Sequence, residues 1–291
     1  MNQAAAARPT PIIKLIGDAC QEVLANRDSL PSMPDVAFRI RSAMESPDWS
    51  IGTVATIIKS DPGTTTYLLQ IANSALYSGV SRVTELEIAV ARIGMQSTRN
   101  LVMAHALRSM FVTKSPVLGT LMKQTWQTSA RLAAVSAVLA GYCPHVAPER
   151  ALLAGLLQDI GVLPILNVLK RFDQQITDDA QIRGAIERYA AQVGMVLLMQ
   201  WDFENDMIEV ARSRCSWFRD HELAGDLADV ILIARLHANS IWDKNEELPR
   251  IDEVPAFTRL PLGDLSPEGS LECLLENESA INEVMRTLGA S

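Results

Sequence analysis

Ala151-Leu152-Leu153-Ala154-Gly155-Leu156-Leu157-Gln158-Asp159-Ile160-Gly161 is the stretch on which the reading of this chain turns. Pro148 stands just ahead of it, in a place that suits the first turn of a helix, where the missing N–H costs little. The pattern predicts a helix over Pro148–Asp159. Gln158 and Asp159 then arrive together at its C-terminal end. An Asp ahead of Ile-Gly is expected to cap a turn or to accept hydrogen bonds from nearby backbone, and Gln158 to satisfy buried polar groups.

Working outward, helix signals recur and strand signals are scarce. Toward the N-terminus, apolar residues fall at helical spacing over Ile12–Leu24. Leu30-Pro31-Ser32-Met33-Pro34 interrupts, and Asp35 starts a helix through Met44. Ser50 is a predicted N-cap, with Ile51, Val54, Ala55 and Ile58 on one face. Asp61-Pro62 repeats that grammar and opens a helix to about Ser74. Thr84 and Glu87 fit a capping box, with Val83 and Ile88 as its hydrophobic staple. Gly94 is expected to end that helix, and another follows over Gln96–Phe111. Ser115-Pro116 opens the long helix Val117–Ala140.

Toward the C-terminus, helices are predicted over Pro164–Lys170, Asp179–Trp201, Glu204–Cys215 and Leu223–Trp242. An acid-rich stretch, Asp243–Asp264, follows, and Ser266-Pro267-Glu268 is expected to cap a last helix to about Leu288. The apolar residues Leu271, Leu274, Leu275, Ile281, Val284 and Leu288 of that tail need burial and should pack back on the domain. The chain divides into an N-terminal helical extension, 1–29, a first lobe, 30–114, a second lobe, 115–242, and an acidic tail, 243–291.

Composition agrees with an all-helical protein. Hydrophobic residues make up 48% and aromatic residues 5% of the 291 positions, so aliphatic side chains supply the core. The net charge is -8, and the segment from Asp243 onward holds 11 acidic against 4 basic residues. Phosphate backbones need clustered cations, so direct nucleic-acid binding is not expected. Arg92, Arg99 and Arg108 form at most a weakly basic face on a helix-turn-helix reading. No uninterrupted apolar stretch reaches the roughly 20 residues of a membrane span. The N-terminus lacks the pattern of a signal peptide. Cys20, Cys143, Cys215 and Cys273 show no CxxC spacing and are read as reduced thiols of a cytoplasmic protein. Phosphate-loop, dinucleotide-binding and nucleophile-elbow motifs are absent.

Several motifs in order carry a family resemblance. Leu30-Pro31-Ser32-Met33-Pro34, Ile57-Ile58-Lys59-Ser60-Asp61-Pro62 and Leu68-Leu69-Gln70-Ile71-Ala72-Asn73-Ser74 come first. Ile88-Ala89-Val90-Ala91-Arg92-Ile93-Gly94 and Arg99-Asn100-Leu101-Val102 follow, and Ala151–Gly161 is the second hallmark. Together they resemble the HDOD family over about residues 30–242. The resemblance implies an all-α, two-lobed fold whose C-terminal lobe is similar to the HD superfamily of metal-dependent phosphohydrolases. It also implies a bacterial regulatory protein with a protein partner in a signalling pathway, near two-component or cyclic-dinucleotide systems.

An HD phosphohydrolase holds its metal with a His, a His-Asp pair and a distant Asp, and the metal lowers the pKa of a bound water. By resemblance those positions fall at Thr128, at Gln158-Asp159 and at Asn239, with a further His position at Ala190. One carboxylate among amides and hydroxyls is a poor donor set. The chain is therefore expected to hold no metal and no cofactor, to have no catalytic residues, and to act through protein–protein contact. The alternatives are a residual HD-type phosphohydrolase and a nucleotide or small-molecule sensor built in the former metal pocket. His221 with His237 is the fallback metal pair, and His105 is expected to be a partly buried core residue with one hydrogen bond. His145 sits in a proline-flanked loop. Cys215, near Arg212 and Arg214, is the candidate reactive thiol, and Trp126, Trp201, Trp217 and Trp242 are read as lobe-packing anchors.

Overall fold

The local caps form where the residue types place them. In the computed structural model, Ser50 accepts a hydrogen bond from Thr53 N at 3.1 Å and starts α3 (Ile51–Lys59). Asp61 accepts from Gly63 N at 3.0 Å and opens α4 (Pro62–Ala72). Gly94, at φ 86°, separates α5 (Leu86–Ile93) from α6 (Met95–Leu107), a conformation open to a residue without Cβ. Ser115 accepts from Leu118 N at the head of α7 (Pro116–Ala140). The structure describes residues 12–26, 29–74, 77, 81–113, 115–172, 179–221, 224–240, 248–266 and 269–290.

Two expectations about local structure fail. The capping box at Thr84 does not form: α5 begins at Leu86 with no side-chain cap. Glu87 pairs instead with Lys59 of α3 at 2.5 Å. Val83 is buried and Ile88 is exposed, so they form no staple. The last helix does not start at Ser266. Leu265 and Leu271 face each other in an antiparallel bridge, and the helical tail comes as α14 (Glu272–Glu276) and α15 (Glu278–Thr287). Pro267 and Glu268 of the expected cap, Leu223 and Trp242 lie outside the described residues.

The first lobe packs α2 (Asp35–Glu45) through α6 around Ile40, Ile58, Leu68, Ile71 and Leu101, all nearly or fully buried. The second is organised by α7, which runs against α8 (Pro148–Leu157) and α12 (Leu227–Ala238). Gly155 permits that approach: a Cβ there would lie 2.7 Å from Ala133 Cα. After α8 the chain turns at Gly161 into α9 (Val162–Leu169) and on to α10 (Asp179–Gln200) and α11 (Asn205–Arg212). A Cβ on Gly161 would fall 2.0 Å from the Ala190 carbonyl oxygen of α10, so α10 rests directly on this turn. The N-terminal α1 (Ile12–Ala25) packs on α9 and α10.

One segment approaches span length without being an uninterrupted apolar stretch. Pro148–Leu169, α8 and α9 with the turn between them, is 22 residues, apolar and long enough for a membrane span by length and composition, although Gln158 and Asp159 interrupt it. Its apolar window is 94% buried within the protein, which accounts for its composition by core packing.

The tail does pack back. After α13 (Pro255–Arg259), Leu271, Leu274, Ile281, Val284 and Leu288 are buried, while Leu275 stays exposed. α15 lies on α7 and also touches α4, so it spans the two lobes. Trp126 donates its indole N–H to the Leu288 carbonyl at 3.2 Å. Trp201 donates to the Pro31 carbonyl at 3.0 Å and joins the lobes elsewhere. Both act as the packing anchors their residue type proposed, and Trp217 is half-buried against the core.

Candidate functional site: an arginine clamp at the end of α8

Gln158 and Asp159 end α8 in the interior, 0% and 4% exposed. A carboxylate there must find a charged partner or give up its charge. Asp159 finds two. Arg214, just after α11, donates Nε–H to Asp159 Oδ1 at 2.5 Å. Arg235, in the last turn of α12, donates from Nη1 to Asp159 Oδ2 at 3.0 Å and to Gln158 Oε1 at 2.7 Å. Burial alone would raise the Asp159 pKa. The Arg235 and Arg214 guanidinium groups outweigh burial and hold it well below the usual carboxylate range.

The expected role for Asp159, capping a turn or binding backbone, is thus replaced by an ion-pair clamp between α8, α12 and the segment after α11. Gln158 meets its expectation by half: Oε1 is satisfied, while Nε2 is buried without a partner. Arg214 was legible only as a neighbour of Cys215, whose sulfur it does approach at 3.8 Å. Cys215 is exposed and adopts φ 61°. Arg235 had a signal that sequence reading passed over. It stands alone within Ile231-Leu232-Ile233-Ala234-Arg235-Leu236, and a cation in so apolar a helix requires a buried carboxylate.

The other positions assigned by resemblance are not drawn into the clamp. Thr128 and Asn239 are half-buried, on α7 and just beyond α12, and Ala190 is fully buried on α10 against the Gly161 turn. Among the described residues, none of the three makes a side-chain hydrogen bond to Gln158 or Asp159.

These residues do not fit a divalent cation. Both Asp159 oxygens already accept from guanidinium groups, and Gln158 Oε1 accepts from the same Arg235. The free atoms Gln158 Nε2 and Arg235 Nε are both donors. A dication would sit beside two positive side chains with one carboxylate between them, where Coulomb repulsion in a poorly screened interior is large.

A second charged group lies at the head of α12. His221, Asp226 and Asp229 bring potential ligand atoms within 4.8 Å of one another. Arg219 already fills their midst, with Nη1 at 2.7 Å from Asp226 Oδ1 and from Asp229 Oδ1. His221 Nε2 stands 3.0 Å from Asp229 Oδ2. The Asp226 and Asp229 carboxylates also each accept from the other's backbone N–H, forming the capping box of α12. His237 takes no part in this group, so the fallback pair His221–His237 is not assembled. Burial pushes the His237 pKa down to about 4 and keeps it neutral. His105 stacks on Tyr67 with ring centroids 4.7 Å apart, and burial lowers its pKa. Its ring makes no hydrogen bond among the described residues, where one was expected.

The weakly basic face also dissolves. Arg92 donates to the carbonyls of Ala72 and Ser81 at 3.1 and 2.8 Å, and Arg99 pairs with Glu204 at 3.1 Å.

Comparison with known proteins agrees with this architecture. The HDOD domain model matches residues 30–215. A solved structure from Shewanella amazonensis SB2B, provisionally described as a metal-dependent phosphohydrolase, superposes with a TM-score of 0.80 at 24% identity. That match covers 94% of this chain and 98% of the other. An HDOD domain protein of unknown function from Geobacter sulfurreducens gives 0.64 at 20% identity, over 95% and 98% of the two chains. A Marinobacter aquaeolei VT8 protein, provisionally described as a signal transduction protein, gives 0.59 at 18%, over 99% and 68%. An uncharacterized protein of Treponema pallidum (strain Nichols) is 22% identical over 199 residues, 64% of this chain. The match spans 37% of that relative's length. At these identities the likeness to the solved structures is one of fold.

Proposed function

The chain belongs to the HDOD family, and from that premise we propose that it is a non-catalytic regulatory module of bacterial signalling, working in the cytoplasm through a protein partner. The observation that carries this reading is the clamp. Arg235 and Arg214 occupy the Asp159 carboxylate from both sides, so the charge that a phosphohydrolase would give to a metal is neutralised from within the chain. A fold can persist while its site takes another use. Catalysis by a metal-activated water requires an open coordination position and a ligand set to hold the ion, and neither is supported by the donors present. For a partner, the first lobe offers Phe38 of α2 and Trp49 and Ile51 at the start of α3, each more than 40% exposed. Aromatic side chains of this kind commonly anchor interfaces.

The test joins metal analysis to activity. The full chain, purified without chelator and then dialysed against Mn²⁺, Mg²⁺ or Zn²⁺, is expected to retain well under one ion per chain. It is expected to hydrolyse neither phosphodiester nor phosphomonoester substrates above the level of the D159N variant. Stoichiometric metal together with turnover that D159N abolishes would refute the proposal. Affinity capture from the native cell with the wild type and with F38A/W49A then tests the partner surface: equal recovery of the same protein by both rules that surface out.

A further inference from the structure

Cys143 and Cys273 are far apart in sequence and meet where the tail closes on α7. Cys143 stands in the turn just past α7 and is buried, and Cys273 is half-buried on the short helix α14. α14 touches α7, and Asn277 ties the two together. Its Nδ2 donates to the hydroxyl of Tyr142, the residue before Cys143, at 2.9 Å and to the Cys273 carbonyl at 2.8 Å. Cys143 belongs to the hydrophobic core, and Cys273 packs against that core. The thiols are near enough for one to act on the other. Burial pushes the Cys143 pKa up to about 11, and charge on Cys273 adds to the rise. Burial also raises the Cys273 pKa, with a further push from Glu276.

Two thiols at one place can share a metal or join to each other. A structural zinc ion takes four ligands. Among the described residues, the trio of clustered potential ligands is His221, Asp226 and Asp229, and it includes neither thiol. The other cysteines lie elsewhere: Cys20 is on α1, which packs on α9 and α10, and Cys215 follows α11, which packs on α8, α10 and α12. Pairing of Cys143 with Cys273 is therefore the chemistry that their placement offers. The thiolate is the reactive form, and both thiols are held mostly protonated near neutral pH. Such a pair stays open at rest and closes only against an oxidant, in the manner of transient, redox-sensing disulfides.

We infer that Cys143 and Cys273 form a redox-sensitive clasp, which hydrogen peroxide closes into a disulfide that fastens the tail to the second lobe. The Cys273 thiolate, the less buried of the two, attacks one peroxide oxygen. The O–O bond breaks, leaving a sulfenic acid on Cys273 and one hydroxide. The Cys143 thiolate then attacks the sulfenic sulfur and displaces a second hydroxide. The protons released by the two thiols turn both hydroxides into water. Two electrons pass from the sulfurs to the peroxide oxygens, so two thiols and one peroxide give one disulfide and two waters. α14 is five residues long, and α15, which follows it, lies on α7 and touches α4. Fixing α14 to the end of α7 thus also restrains the helix that spans the lobes. The pair stands apart from the Asp159 clamp and does not depend on it.

The experiment exposes the purified, reduced full chain to hydrogen peroxide, alkylates the remaining thiols and maps the products by mass spectrometry. The expected product is a monomer in which Cys143 is linked to Cys273 and dithiothreitol reopens the link. C215S, which removes the exposed thiol, is expected to form the same link. Because the thiolate is the reactive form, closure should speed up about tenfold from pH 7 to pH 8. Amide hydrogen exchange across α14 and α15 should slow by tenfold or more in the oxidised chain. C273S, treated with the same oxidant, should keep the exchange of the reduced wild type. Three results would each overturn the inference: Cys143 and Cys273 unlinked while Cys215 is fully oxidised, a link that forms only in urea, or a link that leaves exchange in the tail unchanged.

Discussion

Replacing Asp159 by Asn is the sharpest test of the clamp, since it removes one charge and almost no volume. The wild-type carboxylate accepts from Arg214 Nε at 2.5 Å and from Arg235 Nη1 at 3.0 Å. Charge-assisted hydrogen bonds of this kind contribute about 1.5–3 kcal/mol each. Asn keeps one acceptor oxygen and turns an NH₂ toward the other guanidinium. Side chains of Arg214 and Arg235 are each 11% exposed, so both cations would remain largely desolvated without a counter-charge. Breaking a buried pair from one side costs about 3–5 kcal/mol, and D159N is expected in that range. The triple variant D159L/R214M/R235M removes all three charges and is expected to recover most of the loss, because their desolvation disappears too. Urea unfolding at pH 7, followed by circular dichroism and tryptophan fluorescence together, supplies the midpoints. The pH arm has a definite sign. The folded Asp159 pKa lies below the unfolded value of about 3.9, so its stabilisation is present above that value and is lost as pH falls through the acid range. D159N should flatten that limb. A D159N loss below about 1 kcal/mol, or a triple variant no more stable than D159N, would refute the reasoning.

Other outcomes follow from neighbouring features. His237 is held neutral with a pKa of about 4, below the unfolded value of about 6.5, so the unfolded chain binds its proton first. Stability should be full above pH 6.5 and fall by up to about 3 kcal/mol toward pH 4. H237L should remove that slope in urea midpoints compared at pH 7 and pH 5, and an unchanged slope counts against the assignment. Gly161→Ala should cost about 1–3 kcal/mol or more, since its Cβ would collide with the Ala190 carbonyl and α10 must shift. A thermal midpoint within two degrees of wild type would contradict that contact. Removing residues 243–291 strips nine buried Val, Leu and Ile residues among those described, Ile251, Val254, Leu260, Leu262, Leu271, Leu274, Ile281, Val284 and Leu288, each contributing about 1.5–3 kcal/mol. The truncated chain should fail to fold, and a cooperative, well-folded product would show the tail to be an appendage.

By itself the sequence determined whatever depends on neighbours within a turn or two of helix. Ser50, Asp61-Pro62, Gly94 and Ser115-Pro116 punctuate the chain as their chemistry requires, because capping groups and strained backbone act over a few residues. The spacing of Leu271, Leu274, Ile281, Val284 and Leu288 likewise announced a tail that needs burial. The family resemblance, not the local sequence, read Gln158 beside Asp159 as the place of a His-Asp pair. What replaced it was decided only in three dimensions. Arg214 and Arg235 lie 55 and 76 residues from Asp159, and no local pattern ties a guanidinium to a carboxylate at that distance. The box expected at Thr84 is also absent, as α5 begins at Leu86 and Glu87 meets Lys59, 28 residues away, in an exposed pair. Ion pairs are weak constraints on a chain and strong ones inside a core, so their partners are chosen when the helices pack.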